Sequence, residues 1–419
     1  MNRHVRIGFV ATRLAQTDGV SLETAKWRRV LSDFGHECYC FAGEADWPPE
    51  FSYIVPEAHF NYPAVQDLNR ALFDAATRLP ETSLAVERQK QILKDHLYRF
   101  IRQHGIQLLI AENVLSLPMH VPLGLALTEV IAETGMPAIA HHHDFVWERT
   151  RYTINAAGDY LRAAFPPSLP SLHHVVINSF AAHQLALRTS MNAALIPNVM
   201  DFEHPPSGQD GYGADLRTSL DIRSGEFLVL QPTRIVPRKR IERAVEFVRR
   251  LDLNCALVIS HASGDEGHAY LAYVQDFAAA TGVRLVFAAP RVGSQRGVGA
   301  DGSKIYALSD VYQQADLVTY LSLVEGFGNA FLEAIYYRRP LVISGYDIFK
   351  IDILPKGFRV VEVDEFVDDA AVKQARAALT SPGLAAEMCE RNFALGLRYY
   401  SFRTLERRLA VLLDECLRG

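Results

Sequence analysis

The chain has 419 residues, 43 of them lysine or arginine against 48 aspartates and glutamates, for a formal net charge of -5. That length exceeds one ordinary core and implies two domains, while 49% hydrophobic and 22% charged residues exclude a disordered or fibrous protein. The acidic balance offers nucleic acid no general attraction, and no apolar run approaches the roughly 20 residues of a membrane span.

The opening MNRHVRIGFVATRL runs straight into a strand, without the apolar core of a signal peptide. Five scattered cysteines (Cys38, Cys40, Cys255, Cys389, Cys416) form no CxxC pair, the pattern of reduced thiols in a cytoplasmic protein.

Along the chain, short apolar runs alternate with longer amphipathic ones, as in βα units on a parallel sheet. VRIGFVAT, ECYCFAG, IQLLIAEN, MPAIAHHH and HHVVINS read as strands of a first series. Its helices are SLETAKWRRVLSDFG, SLAVERQKQILKDHLYRFIRQHG, LGLALTEVIAETG and FAAHQLALRTS. Proline, glycine and acidic residues then cluster and periodicity is lost, so residues 201–224 are the expected linker. A second series follows, with strands FLVLQPT, CALVIS, VRLVFAA, DLVTYLS and RPLVISG alternating with helices ERAVEFVRRL, YLAYVQDFAAATG and IYALSDVYQQA. The chain closes on two helices.

The expected fold class is α/β, with two Rossmann-like domains, 1–200 and 225–395, whose parallel sheets face a central cleft. Residues 396–419 are expected to pack back on the first domain. Ligands of open parallel sheets sit beyond the carboxyl ends of the strands, which makes the cleft the expected working site.

The stretch SLVEGFGNAFLEAI carries the most chemistry. It reads as a strand end, a turn with Gly326 and Gly328, and a helix starting near Asn329. The amides of residues 328 to 330, with the positive end of the helix dipole, suit a phosphate. Glu325 before the helix and Glu333 within it can each hold neighbouring hydroxyls of a sugar or ribose ring. The bland reading is a solvated helix-start glutamate. A second piece weighs against that: QPTRIVPRKRIERAV packs Arg234, Arg238, Lys239 and Arg240 where a strand runs into a helix. Cations at a helix start oppose its dipole, so a purely structural role fits poorly, whereas a diphosphate would be neutralised there.

In the first series, TDGVSLETAKW places Gly19 and Val20 in a turn and Ser21 as the expected helix cap. Three histidines, His141 to His143, and Asp144 follow a strand directly. A zinc site is one reading, but ligands from consecutive positions converge awkwardly and no distant partner is evident. Histidines bonded to backbone at a strand end are another. Glu112 and Asn113, at a neighbouring strand end, serve either an acceptor or a turn. Lys26, Arg28 and Arg29 beside one tryptophan fall short of a membrane-binding helix, so membrane contact is at most peripheral.

Arg234 and Lys239, five apart, followed by Glu325-x7-Glu333 within SLVEGFGNAFLEA, resemble the donor signature of the family-4 retaining glycosyltransferases of GT-B fold. IPNVMD and SDVYQQADLVTYLSLVEGFG are similar to that family's segments too, so the resemblance covers nearly the whole chain.

It implies transfer of a glucose- or mannose-type sugar from a UDP- or GDP-linked donor to a hydroxyl of a small soluble acceptor, with an α-linkage. No cofactor and no essential metal are implied. Arg234 and Lys239 would grip the diphosphate and Glu333 the ribose. Glu325, with the amides of Gly326, Phe327, Gly328, Asn329 and Ala330, would hold the transferring sugar and β-phosphate. Gly19 would approach the donor from the opposite wall, and Arg291 and Val292 would meet the base. His143, with His142 as the alternative, would be the active-site histidine, and Val20, Asn113, Trp147 and Arg149 would line the acceptor side. One departure is Arg240, where the family often has glycine. An epimerase or hydrolase of this fold, or a non-catalytic nucleotide-sugar-binding subunit, are the rival readings, and a homodimer is left open.

Overall fold

Strands whose side chains are nearly all buried make up the heart of each half, because a parallel sheet is covered by helices on both faces. In the computed structural model, residues 4–15, 18–206, 208, 210–263 and 268–418 are described. The chain divides into two compact units, Met1–Asn198 with Leu405–Gly419, and Val199–Thr404.

The first unit holds β1 (Arg6–Val10), β2 (Glu37–Ala42), β3 (Ser52–Ile54), β4 (Leu108–Glu112), β5 (Ala138–His142), β6 (Leu172–Val176) and β7 (Ala194–Leu195). They pair in parallel in the order β3-β2-β1-β4-β5-β6-β7. The core collects Val10, Leu109, Ala111, Ala138 and Ala140 from the sheet with Leu93, Leu97, Leu127 and Val130 from the helices Pro80–His104 and Val121–Thr134. Within this unit the C-terminal helix is tied down by Arg408, whose guanidinium donates to the carbonyl of Leu195.

In the second unit β8 (Phe227–Gln231), β9 (Cys255–Ile259), β10 (Arg284–Phe287), β14 (Leu317–Tyr320), β15 (Leu341–Ser344) and β16 (Val361–Val363) form a parallel sheet in the order β10-β9-β8-β14-β15-β16. The helix Ile241–Leu251 buries Ile241, Ala244, Val245, Val248 and Leu251, a single face at helical spacing. Three short strands, β11 (Val292–Gly293), β12 (Gly297–Val298) and β13 (Lys304–Ala307), form a separate small sheet.

That small sheet corrects one expectation. The stretch IYALSDVYQQA was read as a helix, but its first residues belong to β13 and the helix begins at Leu308. Alternation of Ile305 and Ala307 with Tyr306 is too short a run to be told from a helix start by periodicity.

Residues 210–222 of the expected linker are bonded into the second unit: Tyr212 donates to the carbonyls of Gly297 (3.0 Å) and Ile305 (2.8 Å), and Arg217 pairs with Asp316 at 2.7 Å. Residues 207 and 209 of that stretch, like residues 1–3 of the expected first domain, lie outside the described residues. No helix among the described residues is long and apolar enough to cross a membrane.

Candidate functional site

Each sheet reverses its winding once, between β1 and β4 in the first unit and between β8 and β14 in the second. Loops leaving the carboxyl ends of those strand pairs diverge and leave room for a ligand. The polar group of the second unit gathers at its reversal, and that of the first unit lies beside its own, at the ends of β4 and β5.

In the second unit, the chain leaving β8 makes a short turn at Pro237–Lys239, and the chain leaving β14 turns at Ser322 to Gly328. The two turns are joined by backbone, since the Leu323 amide donates to the carbonyl of Arg238 at 2.8 Å. Lys239 and Glu325 meet in a short ion pair, both side chains 10% exposed, and Arg238 approaches the other carboxylate oxygen at 3.6 Å. Tyr320 lies beneath, its ring 5.2 Å from the Lys239 ammonium.

Burial pushes the Glu325 carboxyl up, but Lys239 and Arg238 outweigh it and the net shift is downward. Lys239 falls below the usual lysine range, first because it is buried and then because Arg238 and Arg234 stand near it, with Glu325 opposing. Arg234 is exposed. His261, at the end of β9, is lowered by burial and then by Arg234 and Lys239, which places it beside the same cations.

The helix Asn329–Tyr336 starts at Gly328, where no side chain caps it. Gly328 has φ +111°, and a Cβ there would stand 2.4 Å from the Tyr346 hydroxyl, so only glycine fits. That hydroxyl donates to the Phe327 carbonyl at 2.7 Å, and Phe327 packs its ring on Tyr400, so the turn is pinned from inside. Ala330 is buried in the first turn. Glu333 accepts a 2.7 Å hydrogen bond from the buried Tyr312. Arg240, where the resembled family often has glycine, has left-handed backbone (φ +47°, ψ +50°). Val292 begins the small sheet and Arg291 ends the short turn Ala289–Arg291 before it; among the described residues no hydrogen bond or ion pair joins them to the Lys239–Glu325 group.

The first unit's group is built differently. Parallel pairing sets Glu112 of β4 opposite His141 of β5. His141 Nδ1 lies 2.9 Å from Glu112 Oε2, and His143 Nε2 lies 3.4 Å from the same oxygen. One donor atom from each of the three lies within 4.8 Å of the others, so they are the described residues able to hold a metal ion. Trp27 stacks on His141 at 4.2 Å. Burial pushes Glu112 up, yet the two imidazoles hold it down at about 2. His141 falls because burial penalises its cation.

Asn113, with left-handed backbone (φ +60°), spends its carboxamide oxygen on the amides of His143 (3.0 Å) and Asp144 (3.2 Å) and on the Ser116 hydroxyl (3.0 Å). It shapes the turn after β5. His142 points to the other face of the sheet, where its Nε2 meets His174 Nδ1 at 2.9 Å; it is 1% exposed against 9% for His143. Trp147 stacks on Phe145 at 4.5 Å, and Arg149 pairs with Asp144 at 2.7 Å. The helix expected to start at Ser21 starts at Gly19 instead. Asp18 is its cap, because its carboxylate, three residues before Ser21, accepts from the amides of both Val20 and Ser21.

Sequence reasoning missed Tyr312, Tyr320, Tyr346 and His261, and it missed Glu112 as the partner of two histidines. A strand-end position signalled His261; the tyrosines had no spacing to mark them.

No protein-family model matches the chain. It is similar to the mannosylglucosylglycerate synthase of Thermotoga maritima, 30% identical over 96% of this chain and 98% of the relative. A protein of the same name from Petrotoga mobilis is 31% identical over 86% of each. Among solved structures, a glycosyltransferase from Rickettsia africae matches with a TM-score of 0.69 over 99% of both chains at 13% identity. Anabaena HepE in complex with UDP and glucose matches with a TM-score of 0.65 over 98% of this chain and all of that one, at 13% identity.

Proposed function

The chain belongs to the family of the mannosylglucosylglycerate synthases, GT-B glycosyltransferases, and from that premise we propose that it moves a mannose- or glucose-type sugar from a nucleoside-diphosphate donor to a small soluble acceptor with the α-configuration kept. The observation that carries the donor side is the group on the second unit's switch point. Lys239 is seated against Glu325 and Tyr320, and the exposed Arg234 stands near it.

A diphosphate departs readily when its growing charge is neutralised, and fixed cations do this without reorganisation in the transition state. In this reading Arg234 and Lys239 take the diphosphate. Glu325 gives up part of its hold on Lys239 to accept from a sugar hydroxyl, while the amides of the turn from Gly326 to Ala330 donate to the β-phosphate. Glu333, oriented by Tyr312, takes the ribose hydroxyls. The departing phosphate oxygen accepts the acceptor's proton on the same face of the sugar, which retains the configuration as in the family-4 enzymes the motifs resemble. Because the cations are protein side chains, the donor side works without a divalent ion.

The acceptor is drawn from the relatives. They are named for a product containing glycerate, so a glycosylated hydroxy acid is proposed here, with its hydroxyl presented to His143.

A product screen by mass spectrometry tests this. GDP- and UDP-linked mannose and glucose are each offered with glycerate, glucosylglycerate and simple polyols, and the linkage is read by NMR. The expected result is one donor giving an α-linked product on a glycerate-bearing acceptor, with added magnesium or manganese changing turnover little. A β-linked product, or transfer to none of these acceptors, overturns the reading.

A further inference from the structure

Glu112 is 2% exposed and His141 is fully buried, yet among the described residues Glu112 has no lysine or arginine partner. Neighbouring carboxylates do: Glu23 pairs with Lys26 at 2.8 Å and Asp144 with Arg149 at 2.7 Å. A buried carboxylate without a cation is costly, and its remaining lone pairs need partners. Here Glu112 Oε1 and His141 Nε2 are both buried with none. His141 meets Glu112 through Nδ1, so its Nε2 lies on the other edge of the ring, and what the cluster itself offers is one uncommitted carboxylate oxygen on a buried carboxylate answered only by imidazoles.

The cluster also has ligand geometry. Ligand atoms around a tetrahedral zinc ion lie about 3.3 Å apart, given metal–nitrogen distances of about 2.0–2.1 Å. The imidazole nitrogens stand 2.9 and 3.4 Å from Glu112 Oε2. The supports are rigid. The strand register fixes Glu112 against His141, Trp27 stacks on His141 with ring planes 23° apart, and Asn113 holds the His143 amide.

We infer that Glu112, His141 and His143 form a site for one zinc-class divalent ion, clipping the ends of β4 and β5 together. Two imidazoles and a carboxylate favour zinc over magnesium or calcium, which prefer all-oxygen shells. The three protein ligands leave one position open, and His143, the most exposed of the three, gives it access to water. The sequence alone lacked the third ligand, which arrives from the adjacent strand. This inference does not rest on the donor reading, since metal content and spectrum report it without any transfer.

The test uses the full chain, stripped with a chelator and titrated with zinc and then with cobalt(II), with metal content by mass spectrometry. About one equivalent of zinc should be retained through gel filtration, with a raised melting temperature. Cobalt should develop the intense visible bands of a four-coordinate site. Glu112→Gln should weaken zinc binding at least tenfold, and His143→Gln, the milder change at the more exposed position, should do the same if the first variant folds poorly. His204→Gln, on an exposed surface pair, should change nothing. Sub-stoichiometric zinc, a cobalt spectrum like that of the aqueous ion, or equal uptake by parent and His143→Gln overturns the site and leaves a hydrogen-bonded Glu–His cluster in its place.

Discussion

The two strand-end groups solve opposite electrostatic problems. In the second unit, Lys239 and Glu325 neutralise each other in a largely buried pair, with Arg238 beside them and Arg234 exposed close by, so the proposed diphosphate would meet its first cation at the solvent edge. In the first unit, Glu112 is sealed beneath two imidazoles and a tryptophan, and among the described residues no lysine or arginine pairs with it. The first arrangement is suited to binding and releasing an anion at every turnover. The second is suited to holding a shape. A shared doubly wound sheet thus supports either use, depending on whether charge at the strand ends is left near water or buried.

Breaking the charged group should show the largest effect. Arg234→Ala or Lys239→Ala should lower turnover by roughly 10²–10³-fold, the scale of one lost transition-state charge stabiliser, with the melting temperature little changed for the exposed Arg234 and lowered for Lys239, whose loss leaves Glu325 to Arg238. Full activity in both variants would remove the donor assignment.

Breaking the buried group should act on stability. Glu112→Gln replaces the carboxylate that His141 and His143 share with a neutral amide and should cost about 2–4 kcal/mol in denaturant unfolding. A loss below about 1 kcal/mol would mean that the cluster is more hydrated than its burial implies.

The comparison is sharpened by His120, a buried imidazole of the first unit that caps the helix Val121–Thr134 by accepting from the Leu123 amide at 3.2 Å. Burial pulls it down from 6.5 to about 4. Because the folded value lies below the unfolded one, its contribution is complete above about pH 6.5 and is lost as pH falls towards 4. Up to about 3 kcal/mol should disappear across that window. His120→Asn keeps a capping oxygen that does not titrate, so the gap between parent and variant should narrow as pH drops. A gap that stays constant from pH 7 to 4 would show that His120 does not drive the acid limb.

The smallest effect is expected at Arg240. A side chain in left-handed backbone costs roughly 1–2 kcal/mol, while glycine loses more entropy on folding, so Arg240→Gly should leave stability unchanged or raise it by up to about 1 kcal/mol. A calorimetric loss would mean that the arginine side chain holds the turn.

What the sequence determined by itself was local. Alternating apolar and amphipathic runs announced two parallel sheets, because each run reports whether its own residues face a core. The pairs Arg234 and Lys239, and Glu325 and Glu333, were legible because each sits within one strand–turn–helix junction, where spacing alone sets which side chains can share a ligand. Tertiary structure decided the rest. Glu112 reaches His141 across 29 residues only because β4 and β5 lie side by side. Tyr312 finds Glu333 through packing between two helices, and strand alternation, once the sheet existed, turned His142 away while keeping His141 and His143 together. Such contacts follow from which strands become neighbours, and sheet order is a property of the whole chain's burial that no short stretch carries.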